Sequence, residues 1–236
     1  MRGTLLNTAT VAVGGGFGML VGSHVPPAYQ EIAMSGIGLV VLGIGMKMFF
    51  QSKNVIIVLA SIALGGVIGT LLGIAGGLEH LSEWLRQSLG GGSHFNEGLI
   101  TCTVLFCVGP LTLLGCIQDG IEGNYELLAV KSTLDGISAF FFAAALGSGV
   151  LVSALLVLII QGAITLFARN LKGFAKDDEL INEASATGGI LLLSTALGLL
   201  AIKSLPTANY LPAIVLAPFF VVAARKLSRR SSATPI

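Results

Sequence analysis

The chain is 236 residues long with a formal net charge of +1, and 54% of its residues are hydrophobic against 11% that are charged. A soluble domain carries about 25% charged residues, so this composition excludes a soluble enzyme, a nucleic-acid-binding protein and a disordered chain. The mean hydropathy of +0.90 instead predicts an all-α, polytopic membrane protein. One helical domain, 1–226, is expected to have the lipid bilayer as its main partner.

The domain divides into eight apolar stretches of about the length that crosses the hydrocarbon core, for which a helix needs roughly 20 residues. We predict transmembrane helices at 4–22, 32–50, 54–76, 98–117, 125–147, 149–168, 184–203 and 208–224. Only Gly147-Ser148-Gly149 separates the fifth helix from the sixth, and a tight turn between antiparallel helices is expected there. An even number of crossings places both chain ends on the same side of the membrane.

The distribution of lysine and arginine predicts which side this is. Nine of the thirteen lie on the side of the chain ends, two lie on the other side, and Lys47 and Lys131 lie inside helices. Cytoplasmic loops carry the excess of basic residues, so we expect cytoplasmic termini and a basic cytoplasmic tail at 227–236. The loop 169–183 mixes bases and acids, and is predicted to be a solvated connector, with a regulatory site as the alternative.

On the other side of the membrane, residues 78–89 predict a short helix that lies in the interface. Leucines at positions 78, 81, 85 and 89 share one face of this helix. Trp84 stands nearby and suits the headgroup region. The glycine-rich segment 90–93 is expected to be a flexible link to the fourth transmembrane helix.

Two patterns predict how the helices are arranged. Glycine recurs every four residues at positions 14, 18 and 22 and again at 65, 69, 73 and 77, and such stripes let helix backbones approach closely in lipid. The second and seventh helices also open alike, because an acidic residue precedes a glycine by five positions in both (Glu31 and Gly36, Glu183 and Gly188). These two helices run in opposite directions, which predicts an inverted repeat of the kind found in secondary transporters. Chance similarity between glycine-rich helices is the alternative.

The fourth helix contains Gly109 and Pro110 near the middle of the membrane. Proline has no N–H, so the helix should kink or break there and free backbone carbonyls. Free carbonyls at this depth face protein or a watery cavity. We therefore expect Gly109 and Pro110, with Thr101 in the same helix, to line an ion or solute pathway. A purely structural kink is the alternative.

The fifth helix holds Lys131 and Asp135, four residues apart, so the two charges share a face and can pair. A charged residue at this depth costs at least ~2.5 kcal/mol on insertion scales, which predicts that both face the bundle interior and mark an ion or substrate route. Gln161 and Asn7 are expected to complete a polar cluster, or else to form interhelical hydrogen bonds. A neutralised pair that only fixes helix register is the alternative.

The segment 118–126 joins these two helices and is predicted to be a cytoplasmic loop. It carries Asp119 and two glutamates but no basic residue. An acidic loop beside the charged pair can form a vestibule for cations, and a plain turn is the alternative.

The sequence lacks the motifs of catalytic and metal sites. It contains no His-Glu-x-x-His, no Gly-x-Ser-x-Gly and no phosphate-binding loop. Cys102, Cys107 and Cys116 lie in one apolar stretch without the spacing of zinc ligands. We expect reduced packing cysteines, no catalytic residues, no metal and no cofactor.

Several of these motifs together resemble one bacterial inner-membrane family, the domain-of-unknown-function 554 or YqgA-like proteins. The resemblance rests on Phe106-Cys107-Val108-Gly109-Pro110, Gln118-Asp119-Gly120, Lys131-Ser132-x-Leu134-Asp135-Gly136, Gln161-Gly162-x-Ile164-Thr165, Gly3-Thr4-x-x-Asn7 and Asn209-x-Leu211-Pro212-Ala213. It spans nearly the whole chain and implies a multi-span protein of the bacterial inner membrane. It also implies that the polar residues singled out above as candidate pathway residues are signature positions of the family, and it supplies no substrate.

The sequence therefore predicts a small secondary transporter or ion-conducting protein for a small ion or polar solute, without enzymatic activity. Lys131 and Asp135 would act as a charge-switch pair in which a cation or proton takes the carboxylate or an anion takes the lysine. Gln161 would be an uncharged ligand. Eight helices in 236 residues leave no room for a wide path, which favours a small substrate or a homodimer. A non-transporting membrane scaffold or sensor is the alternative.

Overall fold

The computed structural model describes residues 1–24, 26–89, 92, 94–107 and 109–231. Within these ranges it contains eleven α-helices and one 3-10 helix and no β-strand, which confirms the predicted all-α class. The helices are α1 (Arg2–Gly22), α2 (Pro27–Phe49), α3 (Val55–Leu71), α4 (Ile74–Leu89), α5 (Phe95–Cys107), α6 (Pro110–Glu122), α7 (Glu126–Leu146), α8 (Ser148–Leu166), α9 (Lys172–Ala175), α10 (Asp178–Leu199), the 3-10 helix (Thr207–Tyr210) and α11 (Leu211–Ser231).

Most of these helices have the length and composition of membrane spans. In the described part of the chain, six are long and apolar enough to cross a bilayer, namely α1, α2, α7, α8, α10 and α11 with its 3-10 turn. Helices α5 and α6 together make a seventh candidate, bent by 60° at their junction. Helix α3 is apolar but has only 17 residues. The chain is therefore a polytopic helical membrane protein, and each of the eight predicted stretches contains a helix.

Several helix ends differ from the predicted ones for local reasons. Helix α10 begins at Asp178, six positions before the predicted 184, because the Asp177 carboxylate accepts a hydrogen bond from the Leu180 N–H and caps the helix. Helix α11 runs on to Ser231, into the predicted tail, and 232–236 lie outside the described residues. Most of the predicted link 90–93 also lies outside them, as do the side chains of the four leucines in 78–89.

The first glycine stripe packs α1 directly against the backbone of α7. Each of the three glycines faces a different backbone carbonyl oxygen of α7. An added methyl group would lie 2.1 Å from that oxygen at Gly14 and at Gly18, and 2.3 Å from it at Gly22. No side chain larger than hydrogen fits at that spacing. The two helix axes therefore approach more closely along this stripe than ordinary side chains would allow.

The second glycine stripe serves packing only in its first half. Gly65 and Gly69 lie against Ala213 and Asn209, where an added methyl group would come within 2.6 Å and 2.0 Å of their atoms. Gly73 instead adopts φ +64° between α3 and α4, a left-handed conformation that favours glycine. This turn ends α3 at Leu71 rather than at the predicted 76, and α4 begins at Ile74.

Both ends of the described chain lie at one end of the helix bundle, here called the terminal end; the opposite end is called the distal end. The order of close contacts shows that α1 runs parallel to α7 and antiparallel to α8, while α2 runs antiparallel to α10 and α3 antiparallel to α11. Arg225 near the end of α11 forms ion pairs with Asp177 and Glu179 at the start of α10. The start of α1 bonds to the ends of α6 and α8.

Candidate functional site

Four polar side chains from three helices meet inside the bundle and are here called the polar cluster. Lys131 and Asp135 of α7 form an ion pair, and each is only 7% exposed. Asn7 of α1 donates from Nδ2 to Asp135 Oδ2 at 2.9 Å and to Gln161 Oε1 of α8 at 3.2 Å. Asn7 and Gln161 are fully buried. The structure thus brings together the two charged and two uncharged residues that the sequence singled out.

The close approach of α1 and α7 explains how so short a side chain as Asn7 reaches Asp135. Gly136 follows Asp135 directly, and its carbonyl oxygen lies where a side chain at Gly14 would stand. Bulkier residues at either glycine would separate the two helices. The glycine stripe therefore positions the amide of Asn7 within hydrogen-bond distance of the carboxylate.

The break between α5 and α6 lies against this cluster. Helix α5 ends at Cys107 and α6 begins at Pro110, whose missing N–H would have bonded the carbonyl of Phe106 four residues earlier. The freed Phe106 oxygen accepts instead from Gln161 Nε2 at 3.1 Å and from Thr112 Oγ1 at 3.0 Å. The sequence predicted a free backbone carbonyl at this break. In the structure that carbonyl belongs to Phe106, and it is bonded to Gln161 of the polar cluster.

Phe106 contacts the cluster through its ring as well. Lys131 Nζ lies 5.8 Å from the centroid of the Phe106 ring, within the range of a cation–π interaction. The same residue thus holds Gln161 by its backbone and the ammonium of Lys131 by its side chain. The end of α5 and the charged pair of α7 form one site.

A row of hydrogen bonds continues from the polar cluster towards the terminal end, and the cluster with this row is here called the polar ladder. The next rung joins the hydroxyls of Thr4 and Thr165 at 3.0 Å. Thr4 precedes Asn7 by three residues on α1 and Thr165 follows Gln161 by four on α8, so each shares a helix face with a cluster residue. The rung after that joins Asp119 to the start of α1.

Asp119 does not lie in a loop, as the sequence had predicted, but inside α6 and 4% exposed. Its Oδ2 accepts from the backbone N–H of Gly3 at 3.0 Å and lies 2.7 Å from the α-amino group of Met1. The Asp119 carboxylate therefore binds the positive end of the α1 dipole together with the Met1 ammonium group.

Thr101 is buried in α5, closer to the distal end than Phe106 is. Its hydroxyl has no hydrogen-bond partner among the described residues, and neither does Asn7 Oδ1. The structure does not join Thr101 to the polar cluster by a hydrogen bond. Gly109 stands at the α5–α6 junction in extended backbone, with φ 165°, so any residue could adopt its conformation.

The sequence analysis did not predict the hydrogen bonds that Thr4, Thr165 and Glu183 form with other helices and turns. Glu183, which had been placed at the junction of the solvated loop and the seventh helix, lies in α10 and is fully buried. It accepts from Ser52 Oγ at 2.8 Å and from the backbone N–H groups of Lys53 and Asn54 at 2.6 and 2.9 Å. The helix period could have identified the two threonines, whereas no local signal pairs Glu183 with a turn about 130 residues earlier.

Residues for a metal centre do not converge in the described part of the chain. No three histidine, cysteine, aspartate or glutamate side chains there are grouped so that they could hold a metal ion. Cys102, Cys107 and Cys116 are buried and unpaired with one another. What the polar cluster offers is one negative charge, one positive charge and the amides of two neutral residues.

Comparison with known proteins places the chain in a family. Residues 2–222 match the family model described as a protein of unknown function, DUF554. The chain is 33% identical over 225 residues to "Uncharacterized membrane protein YdfK" of Bacillus subtilis (strain 168), covering 94% of this chain and 96% of that one. It is 30% identical over 221 residues to "Uncharacterized protein YqgA" of Escherichia coli (strain K12), covering 91% and 94%. No solved structure matches. The chain therefore belongs to the DUF554 family of membrane proteins.

Proposed function

We propose that this protein is a small secondary transporter or an ion-conducting protein for a small ion or polar solute, with the polar cluster at the centre of its pathway. One observation carries the proposal. A buried Lys131–Asp135 pair lies beside a broken helix whose freed carbonyl is bonded to the same amide, Gln161, that binds Asn7.

The charges in the cluster argue for a function because their burial is unfavourable. Each costs at least ~2.5 kcal/mol at the centre of a membrane helix on insertion scales, and such residues usually mark ion or substrate routes. Asp135 divides its hydrogen bonds between Lys131 and Asn7. A proton or cation bound to Asp135 would release Lys131, and an anion bound to Lys131 would release Asp135. Either event changes the electrostatic field between α1, α7 and α8.

The polar ladder supports a route from the cluster to the terminal end. From Asn7 the rungs pass through Thr4 and Thr165 to Asp119, over about 6 Å of α1 at 1.5 Å per residue. The excess of lysine and arginine at the terminal end supports a cytoplasmic orientation of both termini in the bacterial inner membrane. A homodimer and the lack of enzymatic activity remain predictions of the same proposal.

The alternative hypothesis is a membrane scaffold or sensor, in which the pair only fixes helix packing. It is favoured by the fact that Lys131 and Asp135 satisfy each other in the bundle. The two hypotheses differ in what the protein does when the pair is neutralised without loss of the fold.

The test is ion movement into liposomes that contain the purified protein. Currents on a solid-supported membrane and proton movement reported by trapped pyranine would be recorded with sodium, potassium, protons and small anions. Asp135→Asn is the test variant. Asp178→Asn is the matched control, because it is the same substitution at an exposed position at the start of α10.

We expect transport by the wild-type protein and by Asp178→Asn, and none by Asp135→Asn. Silence of the wild-type protein in both assays would refute the proposal. Transport by Asp135→Asn at the wild-type rate would show that the polar cluster is not part of the pathway. The charged pair would then have only the structural role of the alternative hypothesis.

A further inference from the structure

A second polar site lies at the distal end of the bundle, away from the polar cluster. It is a partly enclosed cavity of about 240 Å³, here called the distal cavity, bounded by α4, α5, α10 and the segment that contains the 3-10 helix. Its polar lining residues are Glu79, Asn96, Glu97, Ser194, Thr195, Ser204 and Thr207.

The distal cavity has a charged rim and a neutral, buried floor. Glu79 and Glu97 are exposed, whereas Ser194, Thr195 and Thr207 are 6%, 8% and 6% exposed. The carboxylates at the rim therefore keep their hydration, and the hydroxyls below them are held inside the protein. A ligand that enters meets fixed negative charge first and uncharged oxygens afterwards.

The floor presents hydrogen-bond acceptors. Thr195 Oγ1 donates its proton to the Leu191 carbonyl at 3.0 Å, which leaves the lone pairs of the hydroxyl oxygen available. Ser194 and Thr207 bond each other at 2.7 Å, so one proton of that pair is also used. Asn96 Oδ1 is buried and accepts no hydrogen bond from the described residues.

The charges around the cavity select the sign of its ligand. Lysine and arginine are absent from its described lining, which carries two carboxylates and several neutral oxygens. Oxygen atoms of this kind are the ligands of hard cations. The volume exceeds that of a bare ion, and no group of three metal-ligating side chains is present among the described residues. The cavity therefore fits a cation that keeps part of its water, or a small ammonium compound.

Helix α5 connects this cavity with the polar cluster. Glu97 at the rim and Thr101 lie four residues apart on one face of α5, about 6 Å along the helix, and the Phe106 carbonyl lies about 7.5 Å further. Thr101 is fully buried, and its hydroxyl has no partner among the described residues. One helix thus carries polar groups at the rim of the cavity, between the two sites and at the cluster.

We propose that the distal cavity is a binding site for a small cation, which is held by Glu79, Glu97 and the buried hydroxyls and then passes along α5 to the polar cluster. This inference rests on the proposed transport function and names its substrate class. Among the described residues, His94 lies close enough to compete with a cation for Glu97, since its Nδ1 is 3.3 Å from the Glu97 Oε2.

The experiment measures cation binding to the purified full-length protein in detergent at pH 8. Thermal unfolding would be followed against sodium, potassium, magnesium, calcium and methylammonium, at an ionic strength held constant with N-methylglucamine chloride. The test variants are Glu97→Gln and Glu79→Gln. Glu31→Gln is the matched control, because Glu31 is exposed near the start of α2 and does not line the cavity.

At least one cation should stabilise the wild-type protein saturably. Its apparent Kd should rise about tenfold in each test variant, the loss expected for one charge-assisted contact, and stay unchanged in Glu31→Gln. Absence of saturable stabilisation, or equal Kd values in Glu97→Gln and Glu31→Gln, would overturn the site. Should Glu97→Gln not purify in a folded form, Glu79→Gln decides the question alone.

Flux measurements separate this inference from the proposed function. The half-saturating cation concentration for transport should rise in Glu97→Gln, while Asp135→Asn should bind the cation with the wild-type Kd and transport nothing. Binding through Glu97 without transport by the wild-type protein would support the site and refute the transporter. Transport with an unchanged half-saturating concentration in Glu97→Gln would support the transporter and overturn the site.

Discussion

The energetic role of the Lys131–Asp135 pair can be measured with a double-mutant cycle. The variants are Asp135→Asn, Lys131→Met and the two combined. Both residues are 7% exposed, and their side chains are bonded to each other. Removal of one partner from a buried pair costs about 3–5 kcal/mol because the other charge stays behind.

The surroundings decide where in that range each variant falls. In Asp135→Asn the new amide oxygen can still accept from Asn7, and Lys131 keeps the Phe106 ring at 5.8 Å, so we expect a loss near the lower limit of about 3 kcal/mol. In Lys131→Met the carboxylate keeps only the Asn7 hydrogen bond, so we expect a loss nearer to about 5 kcal/mol.

The combined variant should unfold within about 1 kcal/mol of the wild-type protein, since replacement of a whole buried pair by neutral groups is often neutral. With losses of about 3 and about 5 kcal/mol in the single variants, the coupling energy between the two positions would then be at least about 7 kcal/mol. The free energy of unfolding is to be measured by reversible unfolding with SDS in mixed micelles. Additive losses, with a coupling energy below about 0.5 kcal/mol, would refute the burial argument. A combined variant that is stable yet transports nothing would separate the functional role of the pair from its role in packing.

Two further predictions concern packing and surface charge. Gly18→Ala should lower the stability in detergent by about 1–3 kcal/mol, because the new methyl group meets an α7 carbonyl oxygen at 2.1 Å. Gly16→Ala should not, because a methyl group there has no contact within 4 Å among the described residues. Equal unfolding temperatures of the two variants would contradict this. Arg225 lowers the pKa of Asp177 through a side-chain hydrogen bond, so the ion pair stabilises the fold above the ordinary carboxyl pKa of about 3.9 and is lost as the pH falls through the lower folded value. The difference in unfolding temperature between the wild-type protein and Arg225→Gln should therefore be full at neutral pH and shrink below about pH 4; a difference that is constant with pH would contradict the assignment.

Local sequence predicted the helix break but not what satisfies it. Pro110 has no backbone N–H in any fold, so the local sequence alone predicts that the Phe106 carbonyl, four residues earlier, lacks its helical hydrogen bond. Its partner Gln161 is 55 residues away, and only the packing of α5 beside α8 brings the two together. The same holds for Asp119, whose acidic neighbourhood looked like a loop, because its partners lie at the start of α1.

Glycine spacing predicted close packing at both stripes, and the structure uses it at only some positions. Gly14 and Gly18 touch a neighbouring backbone, whereas Gly73 forms a turn and a methyl group added at Gly77 would meet no atom of another described element within 4 Å. The spacing of four is a property of one helix, and close packing requires a second helix opposite it. Which helix lies opposite is not encoded in the stripe.

The sequence by itself determined the membrane environment, the helical class and the presence of two charges where lipid would surround them. These follow from composition over windows of about 20 residues, because an apolar stretch of that length has no other favourable environment and must satisfy its backbone internally. The tertiary structure alone decided that Asn7, Gln161 and the Phe106 carbonyl surround the charged pair, and that Glu183 is buried against a distant turn. A hydrogen bond needs its two atoms within about 3 Å, and for residues on different helices that distance is set by packing between elements, which no single stretch of sequence contains.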